Sequence, residues 1–97
     1  MILHLVLFRF KPGTGSEAIA AAGGALLSLQ GKIPDIRAIR WGPNLAADSL
    51  EYSHGLVVAL KDMAAVERYR DHPAHREVVA KYLAPIRESR LAADLEA

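Results

Sequence analysis

The chain has 97 residues, 52% of them hydrophobic, which is enough material for one core and one domain spanning residues 1–97. Twelve basic residues against eleven acidic ones leave a formal charge of +1, with no basic stripe interleaved with aromatics, so no nucleic-acid partner is expected. The absence of cysteine excludes disulfides, thiolate chemistry and cysteine-ligated zinc, and it fits a reducing compartment.

Ile2 to Phe10 reads as a strand whose near-continuous apolar character suggests burial on both faces. Alternation puts His4, Val6, Phe8 and Phe10 on one face and Leu3, Leu5, Leu7 and Arg9 on the other. The apolar start is too short for a leader, is interrupted by His4 and Arg9, and precedes no small-residue cleavage site. No stretch is long enough to span a bilayer, so the expectation is a soluble cytoplasmic protein with no membrane partner.

Pro12 and Gly13 end the strand. Thr14 and Glu17 have the spacing of a capping box, which predicts a helix from about Gly15 to Leu29 with Ile19, Ala22, Leu26 and Leu29 as its apolar stripe. Gly23 and Gly24 sit inside it at a cost of about 1 kcal/mol each relative to Ala, which points either to drift in an alanine-rich helix or to space needed for packing or a ligand. Gly31 suits the helix end, and Pro34 prevents its continuation. A second strand is predicted over Asp35 to Trp41, broken by Gly42-Pro43-Asn44, with a loop over residues 44–52. His54 to Leu60 is a third, almost wholly apolar strand, and Asp62 is a good N-cap for the helix that follows.

The window Tyr69-Arg70-Asp71-His72-Pro73-Ala74-His75 concentrates more chemistry than any other. Pro73 lacks an amide hydrogen and clashes with the preceding turn, so the helix from about Met63 should stop near Asp71. A new helix can start at once, because Pro is tolerated in a first turn. Tyr69 shares a face with Val66, and His75 shares one with Val78, Val79, Tyr82 and Ile86, so both should point inward from opposite sides of the break. A phenol and an imidazole converging on an apolar space form a candidate acid/base pair, although buried Tyr and His also serve structure alone. His72 reads as a capping or supporting residue beside the break. The second helix should run to about Leu83, closed by Pro85, and Ser89 to Leu95 should make the last strand, with Ala92 and Asp94 on one face.

The order is β-α-β-β-α-β, the ferredoxin-like α+β arrangement with its second helical region broken in two. Helices cover one sheet face. The first and third strands are apolar on both faces, so a second copy of the sheet is expected over the other, giving a homodimeric α+β barrel.

Ile2 to Lys11, Gly31-Lys32-Ile33-Pro34, Trp41-Gly42-Pro43-Asn44, Tyr52-Ser53-His54 and His72-Pro73-Ala74-His75 follow one another in that order. Together they resemble the stress-responsive dimeric α/β-barrel (Dabb) family over essentially the whole chain. The resemblance implies the ferredoxin-like fold and the dimer. In a plant member that closes a polyketide ring by aldol condensation, the catalytic tyrosine and histidine flank the His-Pro-Ala-His motif and match Tyr69 and His75. A pocket histidine on its first strand matches His4, a histidine that follows Tyr-Thr matches His54 after Tyr52-Ser53 as a pocket or supporting residue, and an acidic residue on its last strand matches Asp94. That member carries bulky aromatics where this chain has Ala22, Gly23 and Leu26, and its loop between the second and third strands is longer. The resemblance therefore implies a pocket of different shape and a different substrate.

Three readings of different class follow. The first is a cofactor-free lyase or cyclase acting on a small hydrophobic carbonyl compound, with the imidazole tautomer set by Asp94 or by a backbone carbonyl. The second is a non-catalytic, stress-related dimer whose histidines are structural. The third is a haem-binding or monooxygenase-like barrel, as in related dimeric barrels, with axial ligands drawn from His4, His54, His72 and His75. These four histidines are too scattered for a recognisable metal-ligand spacing, so no metal site is expected. An open cavity reaching both Tyr69 and His75 separates the first reading from the second.

Overall fold

The computed structural model describes residues 1–97. Its strands are β1 (Ile2–Phe10), β2 (Ala38–Pro43), β3 (His54–Leu60) and β4 (Arg87–Glu96), and its helices are α1 (Ser16–Leu27), α2 (Met63–Asp71) and α3 (Pro73–Val78). The sheet runs β2-β3-β1-β4, with every neighbouring pair antiparallel. This is the predicted β-α-β-β-α-β ferredoxin-like arrangement.

Strand periodicity sorts the two faces. The helix-covered face takes Ile2, Val6 and Phe8 from β1 together with Leu56, Val58 and Leu60 from β3, all buried. Helix spacing supplies the opposing layer: Ala22 and Leu26 from α1, and Ala65, Val66 and Tyr69 from α2. Each large apolar side chain fully buried there contributes about 1.5–3 kcal/mol.

Local signals explain the helix ends. Asp62 Oδ1 accepts from the Ala65 amide at 2.9 Å, so α2 starts where its cap stands. At the break, His72 Nδ1 accepts from the Ala74 amide at 3.0 Å, and Pro73 occupies the first position of α3. A π-helical turn, Val79–Leu83, closes this segment, with the Ala84 amide reaching back to the Val79 carbonyl at 2.8 Å.

Four sequence expectations need correction. The capping box is not formed: the Thr14 hydroxyl donates to the Lys11 carbonyl at 2.6 Å, so Gly15 becomes the N-cap without a side-chain bond. The α-helix ends at Leu27 and tightens into a 3₁₀ turn, Ser28–Gly31. Strand β2 starts at Ala38 rather than Asp35, because the chain first turns to bury Ile33 and Ile36, with the Ile36 amide donating to the Ile33 carbonyl. It then continues through Pro43, which an edge strand tolerates because it needs no inward donor there. Finally, β4 begins at Arg87, ahead of Ser89, with a register shift opposite Arg9 and Phe10.

Gly23 is there for packing. A methyl group on it would run into the Trp41 indole, whereas one on Gly24 would meet open space. The opposite sheet face carries Leu3, Leu5 and Leu7 beside Val57, Leu91 and Leu95 and is covered by no helix; Leu91 and Leu95 are 57% and 52% exposed in the single chain. No helix is long and apolar enough to cross a membrane.

Candidate active site

A cavity of about 230 Å³ lies between the helices and the sheet, and both Tyr69 and His75 line it. Tyr69 arrives on the last turn of α2 and His75 on the first turn of α3, so the Pro73 break turns the two side chains toward one space. Their ring centroids are 4.6 Å apart at an interplanar angle of 53°. His4, on β1, also packs against the Tyr69 ring, with centroids 5.8 Å apart at an interplanar angle of 65°.

Hydrogen bonds assign roles to these groups. His75 Nδ1 lies 2.9 Å from the Arg70 carbonyl. A carbonyl only accepts, so Nδ1 carries the hydrogen and Nε2 presents its lone pair. Burial lowers the His75 pKa below its ordinary value; His4, Arg90 and Arg70 push the same way, against the raising effect of the Arg70 carbonyl. The imidazole is thus a neutral base at neutral pH. Burial has the opposite effect on the phenol, pushing Tyr69 up to about 12, so it stays protonated. The Tyr69 hydroxyl enters none of the protein's side-chain hydrogen bonds, yet no buried polar atom is left unsatisfied, so the hydroxyl opens onto the cavity.

Asp94 lines the cavity but does not serve His75. Its Oδ1 lies 2.6 Å from His4 Nδ1, a pairing set by the β1–β4 register that puts His4 opposite Asp94. Of the two expected means of setting the His75 tautomer, the backbone carbonyl is the one in place. His72 is spent on capping α3. His54 stands outside the cavity, stacked on Trp41 at 5.4 Å, edge-on to Phe10 at 5.6 Å, with Nδ1 2.9 Å from the Ser53 hydroxyl. No three His, Cys, Asp or Glu side chains converge in a way that could hold a metal ion.

Apolar walls come from Val6, Phe8, Leu26, Leu56, Val79 and Leu83. Sequence reasoning missed three arginines at the same cavity: Arg70, Arg87 and Arg90. Arg90 was legible, since it shares the strand face of Ala92 and Asp94. Arg87 was not, because it reaches this face only through the register shift in β4.

The family model for the stress-responsive A/B barrel domain (Dabb) matches residues 2–97. An uncharacterized protein of Streptomyces coelicolor is 35% identical over 82 residues, covering 82% of this chain and 84% of that protein. A dimeric ferredoxin-like protein of unknown function from Thermobifida fusca superposes with a TM-score of 0.84 at 27% identity, covering 99% of this chain and 90% of that one. A hydroxynitrile lyase from Passiflora edulis superposes with a TM-score of 0.85, covering 97% and 90%; at 19% identity that likeness is one of fold.

Proposed function

The chain belongs to the stress-responsive A/B barrel (Dabb) family, and from that premise we propose that its cavity is a cofactor-free acid/base site for a small carbonyl compound, with lyase- or cyclase-like chemistry. The observation that carries this reading is the 4.6 Å approach of Tyr69 and His75 across one cavity in complementary protonation states. His75 Nε2 takes a proton from the carbon beside the carbonyl. The Tyr69 hydroxyl donates to the carbonyl oxygen, where the electron pair from the broken C–H bond accumulates. The resulting enolate, its oxygen held by the Tyr69 hydroxyl, can attack a second carbonyl to form a carbon–carbon bond, the new alkoxide taking the proton from His75, or expel a leaving group from the neighbouring carbon, the departing anion taking that proton. His4, held by Asp94, packs against the Tyr69 ring and helps to position it.

We also read the working protein as a homodimer closing over its uncovered sheet face. The exposed Leu91 and Leu95 on that face support this, as does the likeness to a protein described as dimeric. A cytoplasmic setting belongs to the same proposal and rests on composition.

The test is α-proton exchange of small aryl ketones and keto acids in D2O, followed by NMR for wild type, Tyr69→Phe and His75→Ala. The expected result is exchange above the buffer rate that falls by about 10²-fold or more in each variant, with a double variant little worse than either single one. Equal exchange in all four proteins would sink the acid/base reading.

A further inference from the structure

We propose that the ligand of this cavity is an anion, and that Arg70, Arg87 and Arg90 hold its carboxylate or phosphate group at the rim while an apolar body fills the interior. This rests on the acid/base reading for what happens at the carbonyl, but the anion contact stands on observations of its own.

The cavity has two chemically distinct sides. Phe8, Leu26, Leu56 and Leu83, each no more than 2% exposed, wall the interior. Arg87 and Arg90 come from the edge strand β4 and Arg70 from the last turn of α2, and all three are half-buried or exposed. The apolar wall is therefore inside and the cationic group outside.

Three arginines of the surface are ion-paired and five are not; of those five, Arg37 and Arg40 stand away from this cavity and the other three line it. Arg68 pairs with Asp35 at 2.9 Å, Arg9 with Glu88 at 3.2 Å, and Arg76 lies 3.7 Å from Asp71. Arg70, Arg87 and Arg90 have no carboxylate partner. Asp94 is the sole acidic side chain lining the cavity, and it is engaged by His4. Three like charges at one opening repel one another, and in a cleft partly walled by apolar groups that repulsion is poorly screened. An anionic ligand relieves it, and guanidinium groups suit the planar or branched oxygens of carboxylate and phosphate.

The register shift in β4 sharpens the point. Alternation puts Asp94, Ala92 and Arg90 on the cavity face, and the next residue on that face would be Glu88. The bulge sets Arg87 opposite Phe10 instead, and Glu88 pairs with Arg9 of the other face. One inserted residue thus exchanges a carboxylate for a guanidinium at the cavity, the kind of re-aiming for which bulges serve.

The cavity is small for a ligand site, so the fitting molecule has a compact apolar body, a carbonyl for Tyr69 and His75, and one anionic group. Phenylpyruvate has those parts, and phenylacetone differs from it by a methyl group in place of the carboxylate. Titration of the full-length protein with both, followed by NMR at low salt, should show phenylpyruvate binding tighter by about tenfold or more. Arg87→Gln with Arg90→Gln should erase the difference by weakening the keto acid alone, and Arg→Lys at the same positions should restore part of it. Benzoate and phenyl phosphate as competitors separate the sources: displacement by either supports the proposal, and the stronger competitor shows which oxyanion the arginines fit. The proposal is overturned if neither probe binds, if the two bind alike, if the preference survives both glutamine substitutions, or if neither competitor displaces the keto acid. α-Proton exchange in the same samples keeps the two readings apart. Arginine-dependent binding without exchange in any protein leaves the anion site and removes the acid/base chemistry. Equal, Tyr69-dependent exchange of both ketones does the reverse.

Discussion

Tyr69→Phe isolates one hydroxyl. The ring stays, so the packing of a side chain 1% exposed is kept, and no protein hydrogen bond is lost because the hydroxyl faces the cavity. Stability at pH 7 should therefore change by no more than about 1 kcal/mol. Above pH 10 wild type and variant should diverge. Burial raises the Tyr69 pKa from 10.0 to about 12. A folded-state pKa above the unfolded value means that the folded chain holds this proton more tightly. The associated stability is fully present below pH 10 and is lost as pH rises through about 12. Two decades of proton affinity correspond to about 3 kcal/mol. Urea titrations of both proteins across the alkaline range measure the loss, and the difference between them removes whatever is common to the two. Tyrosinate absorbance in the near ultraviolet reports the ionisation itself. A loss of several kcal/mol at pH 7 would show the hydroxyl to be structural. Parallel alkaline declines in the two proteins would show that Tyr69 is not the desolvated phenol.

His75 predicts the acid side. Its pKa is lowered by burial, so stability is full above the unfolded value of 6.5 and falls as pH drops through the folded value; turnover should fall over the same range as the base becomes protonated. His75→Ala should flatten its share of the acid limb in urea titrations, leaving that of His54, which burial also lowers; an unchanged limb would refute the assignment. The adjacent glycines of α1 should respond with opposite sign: Gly24→Ala should stabilise by about 0.5–1 kcal/mol, whereas Gly23→Ala should destabilise because its methyl meets Trp41, and equal midpoints for the two would contradict the packing. Leu91→Lys with Leu95→Lys places charge on the uncovered face, and sedimentation should show a dimer converted to monomer; a wild type sedimenting at 10.5 kDa at micromolar concentration would remove the dimer.

Where one short segment contains its own physical cause, the sequence was sufficient. His54 to Leu60 is a strand because a run of apolar residues ends at a polar cap, and α2 starts at Asp62 because that carboxylate reaches the Ala65 amide. The break at Pro73 follows from a missing amide hydrogen, and with it the convergence of Tyr69 and His75, which needs only helix periodicity on either side. The capping box was misleading, because the Thr14 hydroxyl found a nearer acceptor in the Lys11 carbonyl. What depended on partners distant along the chain was left to the tertiary structure. Asp94 meets His4 across 90 positions through strand register, and so is not free for His75. Gly23 is required by Trp41, a contact between a helix and a strand far apart in sequence. Arg87 faces the cavity because one bulged residue reverses the alternation of an edge strand. A bulge depends on how two strands settle against each other, and strand-by-strand periodicity carries no trace of it.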